Sequence, residues 1–329
     1  MEPVDTRTGD GGTPSDVTIV TGRGGIAFRR RRTARSCDRV MSAVDEPRPM
    51  QVLITGGAGT VGTAITDALA SRDGYSFTSL DLEDHPDPNV ESIVADMRSY
   101  EEIRPHFDGM DAVIHLAHVP LKNGGPGDRT IRWTEEHGEN LHVHANAIDA
   151  AVEAGVDSFV YASSNHAVGM YEVTNAPEIY APDYELTVDH TVQPRPDSMY
   201  GNEKVYGEGL GRLASEAHDV RFYALRICSV RDPEYDHPYG DAEAGVDRGE
   251  FERGDEEYDR QVARMKCTWQ SRRDHAHMVE RCLADETVGF DVFYGVSANE
   301  RRWFDIDHAR RTIGYDPRDD GDQWEGPPE

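Results

Sequence analysis

A regular pattern of hydrophobic and polar positions begins at Met50. Gln51-Val52-Leu53-Ile54-Thr55 is a short apolar run of the buried parallel-strand type, closed by glycines. Val61, Ile65, Ala68 and Leu69 follow at helical spacing. Further strand-like runs come at Tyr75–Asp81, 92–95, 112–117, 158–162 and Arg221–Ile227, most of them separated by helical stretches around 99–108, 140–155 and 200–217. Strand alternating with helix predicts an α/β chain with a doubly wound parallel sheet and helices on both faces. Beyond it the spacing predicts one helix over 262–283, a strand at 292–294 and a helix at 306–313. The Asp/Glu/Gly-rich stretch 231–259 reads as a long acidic surface loop, part of a lid.

Residues 1–49 carry little periodicity and an arginine run, Arg29 to Arg32, with no apolar segment after it. They are expected to be a disordered tail, or an over-extended start with true initiation at Met41 or Met50. The chain then divides into a nucleotide-binding region, 50–225, a small C-terminal substrate lobe, 226–315, and a polar tail, 316–329.

Composition narrows the partners. The 62 acidic against 34 basic residues give a net charge of −28. Such a surface repels nucleic-acid phosphates and anionic membranes, and it suits solubility in concentrated salt. Only Lys122, Lys204 and Lys266 are lysines, so arginine carries nearly all the positive charge. No apolar run approaches the roughly 20 residues of a membrane helix. Cys37, Cys228, Cys267 and Cys282 lack metal or disulfide spacing, which points to a reducing cytoplasm. His275 and His277 are two apart, as are His142 and His144, so neither pair shares a helix face and no metal is expected. Trp269, Trp303, Met265 and Met278 read as core or pocket wall.

The first strand runs into Gly56-Gly57-Ala58-Gly59-Thr60-Val61-Gly62 and then into a helix. Glycines at 56, 59 and 62 let the turn tighten and the backbone approach a pyrophosphate, which the N–H groups at the helix start then face. Asp81 closes the second strand roughly 20 residues on, where its carboxylate can accept from both ribose hydroxyls of NAD and repel the 2′-phosphate of NADP. NAD is the expected cofactor of this Rossmann arrangement.

Tyr200 and Lys204 lie four apart on a predicted helix and so share a face. A lysine there is expected to lower the phenol pKa and make Tyr200 a usable general base. Ser163-Ser164-Asn165-His166 leaves the end of a strand, on the side where doubly wound sheets bind ligands. Ser164 can orient a substrate oxygen toward Tyr200.

The glycine loop, Asp81, Asp96-Met97, His115-Leu116-Ala117, Ser163-Ser164 and Tyr200/Lys204 together resemble the extended short-chain dehydrogenase/reductases, the NAD-dependent epimerase/dehydratase family, over about residues 50–315. The resemblance implies that Asp96 and Met97 flank the adenine. By it Ala117 lines the nicotinamide-ribose region, Leu116 and Asn140 are further cofactor contacts, and Asn140 is the structural active-site asparagine. Ser163 to Tyr171, Arg226 to Ser229, Arg264 to Trp269 and Tyr294 to Asn299 look most like uronate dehydrogenases and the archaeal NAD-dependent glucose-6-phosphate dehydrogenases. The resemblance implies oxidation of a sugar C1 hydroxyl to a lactone. Asn165, His166 and Ser229 would bind the sugar, and Arg264 would clamp an anionic group at C6, carboxylate or phosphate. Pro120 stands where uronate dehydrogenases place a substrate-contacting serine. A sugar epimerase and a non-catalytic NAD sensor are the other readings, and a homodimer through long surface helices is the family's common assembly.

Overall fold

The computed structural model describes residues 48–120 and 133–328, the side chains of 134–137 excepted. The expected tail lies outside these residues but for Arg48 and Pro49. Among the described residues seven strands form one parallel sheet: β1 (Met50–Thr55), β2 (Tyr75–Asp81), β3 (Glu91–Val94), β4 (Ala112–His115), β5 (Ser158–Ser164), β6 (Arg221–Ile227) and β7 (Phe290–Gly295). Their order is β3-β2-β1-β4-β5-β6-β7. Helices α1 (Thr60–Leu69), α2 (Tyr100–Ile103), α3 (Trp133–Ala154), α4 (Met170–Val173) and α5 (Met199–His218) occupy the crossovers up to β6. Then come α6 (Gly240–Asp247), α7 (Glu256–Thr268), α8 (Arg272–Ala284) and, after β7, α9 (Asp307–Ile313).

The strand period of two builds two cores. Val52, Ile54, Ala112 and Ile114 pack with Ile65 and Leu69 of α1 and Met278 and Cys282 of α8. Leu53 and Val113, pointing the other way, pack with Val143 and Ala147 of α3 and Ala214 of α5. Strand order reverses between β1 and β4, so the crevice at their carboxyl ends is where ligands bind in this architecture.

Three expectations are corrected. The stretch 231–259 is not a loop throughout. It holds α6 and the start of α7, with Tyr239, Ala242 and Tyr258 buried against Val246, Phe251, Val262 and Trp324. Tyr239, Ala242 and Val246 recur at helical spacing beneath an acidic composition that reads as solvent-facing. The helix expected over 262–283 breaks between α7 and α8. There Ser229 N–H donates to Thr268 O and Gln270 N–H to Ser229 O, and the Ser271 hydroxyl caps α8 by accepting from Asp274 N–H at 3.1 Å. Residues 316–328 are not a free tail. Asp319 O accepts from Ala298 N–H, Gly321 N–H donates to Asn299 Oδ1 at 2.8 Å, and Lys266 Nζ donates to Trp324 O at 2.8 Å. Among the described residues no helix is long and apolar enough to cross a membrane.

Candidate active site

Two cavities meet at the crevice, of about 420 and 340 Å³, sharing Gly56, Gly59, Leu116 and His118. The smaller runs over Asp81, Asp96, Met97 and Ala117, and the larger over Thr60, Val61, Ser164, Tyr200, Lys204, Ser229 and Arg264. This is the shape a dinucleotide needs, one half on each side of the glycine turn.

The turn itself supplies the test of fit. Gly56 has φ +73°, and a Cβ there would stand 2.7 Å from Ala117 N. A Cβ on Gly59 would meet nothing closer than 3.6 Å and would fill the seam between the cavities. Gly62 lines neither cavity. Its missing Cβ would lie 2.2 Å from Gly57 O, so it seats α1 against the turn. The Asp81 carboxylate accepts from Ala58 N–H at 3.0 Å and Leu82 N–H at 2.7 Å, and each oxygen keeps a lone pair for a ribose hydroxyl. Thr60 Oγ1 donates to Asp232 Oδ1 at 2.5 Å, and Asp96 is held by Arg98. These residues fit NAD. Asn140, expected among the cofactor contacts, lines neither cavity. It is buried, and its amide spends itself on Val119, accepting from N–H at 2.8 Å and donating to C=O at 2.9 Å. Pro120 borders the nucleotide cavity, not the larger one.

Tyr200 and Lys204 face the larger cavity from α5, whose N-cap is Ser198, accepting from Gly201 N–H at 3.1 Å. Lys204 Nζ sits 5.3 Å from the Tyr200 ring centre. Burial lowers the Lys204 ammonium to about 7, partly offset by Glu203. Burial also raises the Tyr200 phenol, a hydrogen bond from Ser164 pulls it down, and Glu203 pushes it up. The expected lowering of Tyr200 by Lys204 is therefore not found. Lys204 has lost its proton by the pH at which this phenol titrates, so it carries no charge there to lower it.

Ser164 Oγ accepts from His166 N–H at 3.2 Å at the end of β5. Asn165 and Ser229 are buried on the cavity wall, and Ser229 Oγ is 3.1 Å from Thr268 Oγ1. His166 Nδ1 is 2.7 Å from Asp197 Oδ2, and its ring meets Tyr200 edge-on at 5.6 Å. Arg264 reaches the cavity from α7, but not as a bare cation. Its Nε donates to Glu172 Oε1 at 2.6 Å, Nη2 to Oε2 at 3.3 Å, and Tyr180 Oη donates to the same carboxylate at 2.8 Å.

Sequence reasoning missed His118, at the seam of the two cavities, and Arg231, on the wall of the larger one. The Arg231 Nη2 donates to Asp241 Oδ2 at 2.8 Å. Both follow strand ends in a doubly wound sheet, which is the signal that could have found them. Among the described residues, His190, Asp291 and His308 form a group with metal-ligand chemistry. The two imidazoles are stacked, centroids 3.5 Å apart and 7° from parallel, so no one cation lies in both ring planes.

A parallel sheet with a glycine turn, a carboxylate at the end of the second strand and a Ser/Tyr/Lys cluster at its switch point defines an NAD-dependent oxidoreductase. The chain belongs to the NAD dependent epimerase/dehydratase family, whose profile matches residues 52–244. It is 35% identical to an NAD-dependent glucose-6-phosphate dehydrogenase of Haloferax volcanii, over 87% of this chain and 98% of that one. It is 31% identical to an L-arabinose 1-dehydrogenase (NAD(P)(+)) of the same organism, over 82% and 96%. A glucuronic acid dehydrogenase structure from Chromohalobacter salexigens superposes with a TM-score of 0.61 at 26% identity, covering 84% of this chain and 86% of that one.

Proposed function

We propose that the chain oxidises the C1 hydroxyl of a small anionic sugar, a hexuronate or a sugar phosphate, to a lactone. The observation that carries this is one cavity in which Ser164, Tyr200 and Lys204 stand together with the guanidinium of Arg264. The relatives named above act, by their names, on a sugar phosphate, a pentose and a sugar acid.

Ser164 and Tyr200 hold the C1 oxygen between them, and Tyr200 Oη takes its proton. Tyr200 passes its own proton to solvent as it takes the one from C1–OH, and Lys204, as an ammonium, stabilises the negative charge that develops on Oη. NAD, when bound, accepts the hydride that leaves C1. One sugar and one NAD⁺ thus yield one lactone, one NADH and one proton, and water opens the lactone. Asn165, His166 and Ser229 hold the remaining hydroxyls. Gly56, Gly59, Thr60 and Val61 take the pyrophosphate, Asp81 the adenosine ribose, and Asp96 and Met97 the adenine side. Residues 50–225 carry most of the NAD contacts and 226–315 the substrate contacts, although α8 and β7 of the latter complete the sheet and its core. Arg264 already carries Glu172, so it meets a substrate anion with its remaining N–H donors. The charge of −28 and the scarcity of lysine support a site of action in the cytoplasm of a salt-adapted cell.

The test is NADH formation at 340 nm in concentrated potassium chloride over glucuronate, galacturonate, glucose 6-phosphate, glucose and galactose. An anionic sugar is expected to be turned over in preference to the neutral ones. Activity with the neutral sugars alone would remove Arg264 from substrate binding. Arg264→Lys, which keeps the charge and loses the fork, is expected to raise KM for the anionic sugar about tenfold, roughly 1.4 kcal/mol, with kcat little changed.

A further inference from the structure

A carboxylate from the segment after β6 stands at the first turn of α1, where the cofactor's pyrophosphate is placed. Gly59 precedes α1 and no side chain caps it, so the first N–H groups of the helix are left for an anion. Thr60, the first helical residue, donates its hydroxyl to Asp232 Oδ1 at 2.5 Å, across 172 residues of chain. Thr60 and Val61 line the larger cavity, so the Asp232 carboxylate is one hydroxyl away from it.

Its position is held from both sides. Arg272 of α8 donates through Nη1 to Thr60 O at 3.0 Å and to Arg231 O at 3.4 Å, tying the turn to the residue before Asp232. Tyr235 N–H donates to Asp232 O at 2.9 Å on the other side. The guanidiniums nearby are spent on other carboxylates. Arg272 Nη2 pairs with Asp67 Oδ2 at 2.8 Å, and Arg231 pairs with Asp241 through Nε and Nη2. Asp232 is exposed, and among the described residues it has no ion pair. A carboxylate without a cation of its own thus stands beside the place assigned to two phosphates.

We infer that Asp232 is a fixed anion set against the cofactor's pyrophosphate, so that NAD binds weakly in dilute salt and more tightly in concentrated salt. The inference rests on the reading of the turn as the pyrophosphate site. It concerns binding, and Asp232 takes no part in the chemistry. Like charges at a wetted surface repel by an amount that salt controls. The screening length falls from about 10 Å at 0.1 M to about 3 Å at 1 M, so the repulsion fades over that range. The N–H groups of the turn act at contact distance and keep their hold.

Calorimetric titration of the full-length protein with NAD, between about 0.1 and 3 M potassium chloride, tests it. Circular dichroism marks the salts at which each protein is folded, and sucrose supports folding where salt is dilute. Asp232→Asn keeps an acceptor for Thr60 and removes the charge. It is expected to bind NAD about fivefold more tightly than the parent at the dilute end and equally at the concentrated end. Asp232→Lys is expected to bind more tightly again in dilute salt and to lose affinity as salt is added. Glu234→Gln is the control. It removes the same charge two residues on, from a carboxylate with no hydrogen bond to the turn among the described residues, and should follow the parent. ADP-ribose, which carries the pyrophosphate without the nicotinamide, should show the same order. Equal affinity of Asp232→Asn and the parent at every salt, or an equal gain in Glu234→Gln, overturns the inference and leaves the salt dependence to the chain's net charge. Failure of every protein to bind NAD or ADP-ribose at any salt would instead fault the reading of the turn as the cofactor site, and the inference with it.

Discussion

Replacing Tyr200 by Phe is expected to lower kcat by ~10²–10⁴-fold, the usual worth of a positioned proton acceptor, while NAD affinity stays near the parent's. The change removes one oxygen. Tyr200 lines the larger cavity and not the one over Asp81, so the nucleotide's adenosine half loses no contact. Ser164 keeps its bond from His166 N–H, so the C1 oxygen can still be held, without a base to take its proton. Steady-state rates at 340 nm, paired with an NAD titration, read both quantities. A variant that keeps its turnover removes Tyr200 from the chemistry. One that loses NAD binding in proportion makes the tyrosine a cofactor ligand only.

Glu208→Ala is expected to be the most damaging single change to stability. Glu208 accepts from Arg226 Nε and Nη2, both at 2.9 Å, and from Ser163 Oγ at 2.6 Å, while Arg226 Nη1 donates to Tyr294 Oη at 2.9 Å. The arginine is 2% exposed and the glutamate 8%, so truncating the glutamate strands a guanidinium under β5, β6 and β7. Breaking a buried pair in this way costs roughly 3–5 kcal/mol. For a domain of this size that lowers Tm by roughly 10 °C. Arg226→Met combined with Glu208→Leu should recover much of the loss, because neither charge is then left unpaired. Thermal unfolding of the three variants at fixed salt decides it. A single variant melting with the parent would show that water reaches Arg226.

What the sequence made legible was local. The strand–glycine–helix turn, Asp81 at the end of β2 and the Tyr200/Lys204 spacing need only a few consecutive residues, and each stands at the cavities as its spacing required. What it hid depends on partners far along the chain. Arg264 meets Glu172, 92 residues upstream, and Glu203 meets His118, 85 residues upstream, at distances no periodicity encodes. Composition misled at 231–259, where the aromatic stripe of Tyr239, Phe251 and Tyr258 builds a small core under an acidic surface. The break at Trp269 was invisible for another reason. Both sides of it carry helical spacing, and the backbone turns there to bond Ser229, which a one-dimensional pattern cannot show. Asn140 was placed by resemblance at the cofactor, whereas its amide fixes the Val119 backbone beside it.

Hydride transfer from C1 is the central claim, and isotopic labelling tests it most directly. The preferred sugar of the panel, deuterated at C1, would be oxidised with NAD and both products analysed by mass spectrometry and proton NMR. The account predicts deuterium on the nicotinamide ring of NADH and a lactone, or its opened acid, free of it. Deuterium retained in the sugar with no net NADH would contradict the account, and an inverted hydroxyl in that sugar would identify an epimerase.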